Sequence, residues 1–336
     1  MNQAPRLTGP AAETLLSGGN RIVVTGAGGW VGKAALELLH NTLGTAAFNE
    51  RVVAFGSAPR TIEIGDGLTV RQSALSEIAR LPSTPSLVLH LAFLTKDRVA
   101  AMDEAEYRRA NRALSQVVLD ALDAIDARAV FVASSGAARF AEEPGASPAM
   151  RLYGALKLAD EEAFAGWAES RGRRAVISRI FALSGPHINK HDNYALASFI
   201  KDALAGRPIA IRAGQPVFRS YVAIRELMSL VFALMLESDT GVVRFDTGGE
   251  PLEMQQIAET VAKVVGQVPV RRASFTSDIP DRYCGDEAVY RALLAKSGIP
   301  AEPFAQQVME TAQFLSSGGG LNWPCQRDDA TAVGAQ

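Results

Sequence analysis

Thr25-Gly26-Ala27-Gly28-Gly29-Trp30-Val31-Gly32 is the stretch on which the fold turns. It follows a short β-branched run, residues 21–25, and precedes apolar residues at helical spacing from Val31 to Leu39. A strand, a glycine turn and a helix therefore stand in that order. Gly26, Gly29 and Gly32 fall three apart. Glycine permits a tight turn, and a missing side chain lets backbone approach a pyrophosphate. The helix N-terminus adds free N–H groups and a positive dipole end. The segment reads as a dinucleotide-binding turn.

Strands and helices alternate outward from this turn. Residues 52–55, 87–92, 129–133 and 175–180 read as buried strands. Leu114, Val117, Val118, Ala121, Leu122 and Ile125 form one apolar helix face, and Leu152, Leu156, Ala159, Ala163 and Trp167 another. Such alternation predicts an α/β fold, a Rossmann-type doubly wound parallel sheet with a smaller C-terminal substrate-binding lobe. The boundaries read as a flexible segment over 1–20, a dinucleotide-binding domain over 21–185, a lobe over 186–315 and a flexible tail over 316–336. A segment near 219–248 is expected to return to the main sheet.

Composition narrows the function. Lys plus Arg is 34 and Asp plus Glu 36, so no basic excess suits nucleic acid or a membrane surface. No apolar run approaches the ~20 residues of a membrane span. Two cysteines, Cys284 and Cys325, make no disulfide framework. A reducing, cytoplasmic setting is the simplest expectation.

The cofactor's identity is read at the end of the second strand, where an acid normally binds the adenosine ribose. Here Gly56-Ser57-Ala58-Pro59-Arg60 follows, without an acid. Ser57 can hydrogen-bond a 2′-phosphate and Arg60 can pair with it, so NADP is expected, with NAD as the alternative.

Tyr153 and Lys157 stand four apart in a helix and share one face. A lysine cation beside a phenol is expected to lower the tyrosine pKa and make Tyr153 an acid/base group. Ser135 ends an earlier strand, where its hydroxyl can hold the oxygen whose proton Tyr153 exchanges.

With these residues the chain resembles the extended short-chain dehydrogenase/reductase family, of the nucleotide-sugar epimerase/dehydratase type. The carriers are the glycine turn, His90-Leu91-Ala92, Asn111, Ser134-Ser135-Gly136-Ala137, Tyr153-Gly154-Ala155-Leu156-Lys157, Gly185-Pro186, Arg219-Ser220-Tyr221-Val222 and Asp281-Arg282-Tyr283. The resemblance implies a nicotinamide cofactor and a Ser-Tyr-Lys mechanism, with Ser135, Tyr153, Lys157 and Asn111 catalytic. It implies cofactor contacts from Gly26, Gly29, Trp30, Val31, Gly32, Leu91, Ala92, Phe93, Tyr153, Lys157 and Ile180. Ser135, Gly136, Arg219 and Arg282 would hold the substrate, the arginines through its diphosphate. It also implies a homodimer built on the helices around residues 111–125 and 153–167. The chain departs from the family pattern at Ala182, Ser73, Arg225 and Arg139-Phe140. Gly136-Ala137 stands where 4,6-dehydratases carry an Asp-Glu pair, so dehydration is disfavoured.

Other residues have plainer readings. His187 and His191 lie in a loop and are not taken as a metal pair. Asp160-Glu161-Glu162 reads as a solvated helix face. The expected activity is reduction of a keto-sugar, or epimerisation, on a nucleotide-activated sugar. Its rivals are a non-sugar carbonyl or alcohol substrate, and a non-catalytic NADP-sensing protein on the same fold.

Overall fold

The computed structural model describes residues 4–317 apart from Asp66. The first half runs α1 (Pro10–Ser17), β1 (Arg21–Thr25), α2 (Trp30–Arg51), β2 (Val52–Gly56), β3 (Arg60–Gly65), β4 (Leu68–Ala74), β5 (Ser86–His90), α3 (Glu104–Leu122), β6 (Ala127–Ser135), α4 (Pro148–Arg171) and β7 (Arg174–Ile180). The second half runs β8 (Ala182–Ser184), α5 (Ala195–Leu204), β9 (Ile209–Ile211), β10 (Val217–Ala223), α6 (Ile224–Leu236), β11 (Gly241–Asp246), β12 (Pro251–Glu253), α7 (Met254–Val261), β13 (Val270–Arg272), β14 (Asp281–Tyr283), α8 (Glu287–Lys296) and α9 (Phe304–Ser317).

Eight strands form the main sheet in the order β11-β7-β6-β5-β1-β2-β4-β3. All neighbours are parallel except β3 against β4. Every residue of β1 and β5 is buried, as a parallel strand covered on both faces requires. One face packs on α1, α2 and α6, with Leu36, Leu39, Leu227 and Phe232 in its core. The other packs on α3 and α4 through Val118, Leu122, Phe164 and Ala168. The chain leaves β1 toward β2 on one side and returns to β5 on the other. That reversal opens a crevice at the strands' C-terminal ends, where doubly wound sheets bind ligands.

A smaller sheet, β12-β10-β14 with β8 beside β10, and a β9–β13 pair make up the lobe. Its core joins α5, α7 and α9 through Ile200, Ile257 and Val308. Within the segment 219–248, β11 pairs with β7 at the edge of the main sheet, while β10 stays in the smaller one.

The N-terminal segment differs from its reading as a flexible lead-in. Leu7, Ala11 and Leu15 recur four apart and are buried. Pro10 opens α1, and Thr8 N–H donates to Ser229 Oγ at 3.0 Å, fixing the segment on α6. Arg51 reaches back to donate to Leu15 O at 2.9 Å. At the other end, α9 continues to Ser317, and residues 318–336, Cys325 among them, lie outside the described part.

Candidate active site

The glycine turn leaves β1 at Gly26, whose φ of 65° suits glycine. A Cβ there would lie 2.7 Å from the Leu91 carbonyl carbon, so the turn rests directly on the chain leaving β5. Thr25 Oγ1 holds that chain in place, accepting from Leu91 N at 3.1 Å and Ala92 N at 3.2 Å. A Cβ on Gly32 would lie 2.5 Å from Gly26 O. Helix α2 starts at Trp30 with no side chain capping it, which leaves its first N–H groups for an anion. The cradle fits a dinucleotide pyrophosphate. Gly32→Ala is expected to force the turn open and weaken dinucleotide binding by about 5- to 150-fold, for about 1–3 kcal/mol of overpacking. Titration by nicotinamide fluorescence checks it, and unchanged affinity would refute the cradle.

Beside the turn, Arg60 Nη2 lies only 2.6 Å from where a Gly28 Cβ would stand. The Arg60 guanidinium thus lies against the turn although the residue is exposed. Ser57 is exposed nearby. Gln72 Nε2 donates to Ala58 O at 2.8 Å and steadies the loop between them. Trp30 turns its indole away to donate to Pro186 O at 2.8 Å, with its ring edge-on to Tyr194. Gly29 is the N-cap of α2, Val31 lies in its first turn, and Ile180 ends β7.

Ser135 ends β6, and its Oγ accepts from Ala137 N at 3.2 Å. Tyr153 and Lys157 lie one turn apart in α4, which Ser147 caps at its start and Gly172, in the left-handed region, at its end. Lys157 Nζ donates to Ala133 O at 2.8 Å and stands 3.5 Å from the Phe93 ring centre. Tyr153 meets the same ring edge-on at 5.8 Å. Burial pulls the Lys157 pKa down to about 8, with Asp160 and then Glu161 acting upward.

One expectation is corrected. The Tyr153 phenol is raised, not lowered. Burial is the main cause, and repulsion from Tyr283 and Tyr107 adds to it, while the hydrogen bond with Ser135 opposes. The ammonium of Lys157 is turned to Ala133 O and Phe93, so burial dominates the phenol. The Tyr153 phenol is therefore protonated at neutral pH in this state.

Asn111 bonds the chain that leaves β5. Its Oδ1 accepts from Leu94 N at 2.7 Å and its Nδ2 donates to Tyr107 O at 3.2 Å. Tyr107 Oη donates to Leu94 O at 2.6 Å. Together they fix Leu94, directly after Leu91–Ala92–Phe93. Gly136 is buried, and the Phe181 ring fills the space a Cβ would take there, at 2.6 Å.

Arg219 and Arg282 leave neighbouring strands of the small sheet. Arg219 pairs with Asp281 at 2.9 Å, and Arg282 stacks on Phe218 at 4.0 Å. Neither contacts Ser135 in this state. Tyr283, which sequence reasoning left without a role, does: its Oη is 3.3 Å from Ser135 Oγ. Its ring is held by Phe181 at 4.8 Å and Phe140 at 6.0 Å. His187 pairs with Glu37 at 2.9 Å and His191 Nε2 lies 2.9 Å from Ile188 O.

The run after Lys157 also differs from its solvated reading. Asp160 and Glu161 are buried, and only Glu162 is exposed. Helix α4 is covered by the sheet and by α3, so these charges point inward.

Comparison with known proteins agrees with this geometry. A UDP-glucuronic acid decarboxylase 3 from Arabidopsis thaliana is 29% identical over 105 residues, 31% of this chain and 30% of that protein. The match thus spans about a third of the relative's length. Among solved structures, MoeE5 in complex with UDP-glucose and NAD superposes with a TM-score of 0.68 at 21% identity, covering 89% of this chain and 99% of that one. DesIV, a dTDP-glucose 4,6-dehydratase from Streptomyces venezuelae, does so with 0.65 at 16%, covering 89% and 98%. These likenesses show the fold. Residues 22–246, well over half of the chain, match the model of the NAD dependent epimerase/dehydratase family. With its glycine cradle, its serine at the end of β6 and its tyrosine and lysine one turn apart in α4, the chain belongs to that family.

Proposed function

We propose that this chain is a nicotinamide-dependent oxidoreductase acting on a nucleotide-activated sugar, by keto-sugar reduction or by epimerisation. The observation that carries the reading is the hydrogen bond from Lys157 Nζ to Ala133 O at 2.8 Å, which docks the Tyr153 turn of α4 on the end of β6 that carries Ser135. Ser135 Oγ–H holds the sugar oxygen. Tyr153 Oη–H delivers a proton to that oxygen in the reductive direction and takes it back in the oxidative one. Lys157 steadies the phenolate left behind. A nicotinamide, when bound, supplies or accepts hydride at the carbon bearing that oxygen. Arg219 and Arg282 await the diphosphate, the first by releasing Asp281.

The protonated Tyr153 is the form that delivers a proton in the reductive step of either reaction. Water elimination needs a further acid/base pair, and the positions after Ser135 hold Gly136 and a buried Ala137. Two nearby carboxylates, Glu161 and Asp246, are paired with Arg179 and Arg139. Reduction or epimerisation is thus preferred to dehydration within the family. The helices α3 and α4 are the proposed homodimer seam. Denaturing the purified protein and identifying released nucleotide tests the reading. Stoichiometric NAD supports epimerisation. Empty protein that oxidises NADPH with a UDP-linked keto-sugar supports reduction. Protein that binds NADPH yet turns over no nucleotide sugar refutes both.

We assign NADP as the preferred dinucleotide, on the Arg60 guanidinium at the turn and the absence of an acid at the end of β2. Arg60→Ala should weaken NADP binding by about 10- to 150-fold, for the ~1.5–3 kcal/mol of a charged hydrogen bond, and leave NAD nearly unchanged. Equal losses for both dinucleotides, or none, would overturn the assignment.

A further inference from the structure

Two buried carboxylates follow Lys157 in α4, and their surroundings differ. Glu161 receives Arg179 Nη2 at 2.7 Å and Nε at 2.9 Å, and the Ser134 hydroxyl as well. Its charge is matched. Asp160 has no arginine at ion-pair distance among the described residues. Its Oδ1 accepts from Ser115 Oγ, on α3, at 2.6 Å. Its Oδ2 faces His90 Nε2, at the end of β5, across 3.8 Å, and neither atom has a hydrogen-bond partner.

His90 does not supply a charge. Burial lowers its pKa, so the ring is neutral near pH 7. Its tautomer follows from Thr25. Thr25 Oγ1 accepts from two backbone N–H groups, so its own proton is shared between Leu89 O at 3.3 Å and His90 Nδ1 at 3.4 Å. His90 therefore keeps its proton on Nε2, toward Asp160. A lone carboxylate is strongly disfavoured in so dry a place, and Lys157, one turn back on the same helix, is the cation that can balance it.

We propose that Asp160 is the counter-ion of Lys157, a positioning residue that keeps the ammonium charged inside the site. The other groups facing Lys157 cannot take this part. Ala133 O and the Phe93 ring are dipolar, and Glu161 is matched by Arg179. Burial opposes ionisation of both partners. Asp160 raises Lys157, and for Asp160 the facing His90 ring and the Lys157 charge prevail over burial. On the function proposed above the ammonium steadies the phenolate that proton delivery leaves, so Asp160 acts on the chemistry through Lys157.

The test follows the Lys157 side-chain carbon resonance across pH, assigned by its loss in Lys157→Arg. In Asp160→Asn the titration midpoint should fall by about 1 to 3 pH units. Asp160→Glu, which keeps the charge, should stay near the unaltered protein. An Asp160→Asn midpoint equal to that of the unaltered protein, or an equal fall in both variants, overturns the proposal. Should Asp160→Asn fail to fold, the unaltered protein decides. The Asp160 carboxyl carbon must then show an inflection at the Lys157 midpoint, since coupled groups report each other's titration. A carboxyl that passes that pH without one overturns the proposal. None of these readouts depends on the substrate.

Discussion

Tyr153→Phe is expected to lower kcat by about 10²- to 10⁴-fold, the usual weight of a positioned general acid. The variant keeps the ring, and with it the edge contact to Phe93 at 5.8 Å. It removes only the hydroxyl, so the loss reports proton transfer rather than collapse of the site. Turnover of a UDP-linked keto-sugar with NADPH is the measurement. Turnover that survives the change would remove Tyr153 from the acid/base role. The unaltered enzyme carries a second signature. Lys157 is charged below its pKa of about 8 and loses its proton above it. The phenolate left by proton delivery is stabilised only while the ammonium is present. Reductive turnover should therefore hold level below about pH 8 and decline as pH rises through that value. The raised Tyr153 contributes no fall at neutral pH, because its phenol stays protonated there. A profile that rises through the same window would contradict this division of labour.

Those parts of the site built from local spacing were legible in the sequence. Gly26, Gly29 and Gly32 belong to one turn, and Tyr153 and Lys157 to one turn of helix, so period alone puts them together. Strands β1, β2, β5, β6 and β7 were legible for a similar reason, as short apolar runs ending at turns. β3 and β4 were not, because their half-exposed patterns alternate around polar residues. Tyr283 was out of reach for a different reason. It lies 148 residues beyond Ser135 and arrives there through the parallel pairing of β14 with β10. No periodicity encodes that pairing. The charge run after Lys157 misled because charge normally marks a solvated face. Here the partners that permit burial, Arg179 on β7 and Ser115 on α3, stand on other elements. The raised phenol of Tyr153 was likewise invisible, since burial is a tertiary property.

Glu161→Ala is expected to destabilise the protein by about 3–5 kcal/mol, the usual cost of removing one partner from a buried ion pair. Glu161 has no exposed surface, and it ties α4 to two strands at once. Arg179, near the end of β7, meets it with two nitrogens, and Ser134, next to Ser135 on β6, donates to it. The deletion leaves a hydroxyl and a guanidinium facing a cavity. The guanidinium side chain is 29% exposed and can turn partly to water, which places the expected value toward the lower end. Glu161→Gln separates charge from shape. It keeps an oxygen for Ser134 but offers Arg179 an amide nitrogen, so it should still lose much of the stability. Reversible urea denaturation of the three proteins measures the differences. An Ala variant within about 1 kcal/mol of the unaltered protein would show that this buried pair does not hold α4 to the sheet. Because Ser134 precedes Ser135, loosening at Glu161 should also reach the site. Catalysis in the folded Gln variant is expected to fall through kcat more than through KM, as loss of orientation rather than of substrate binding predicts.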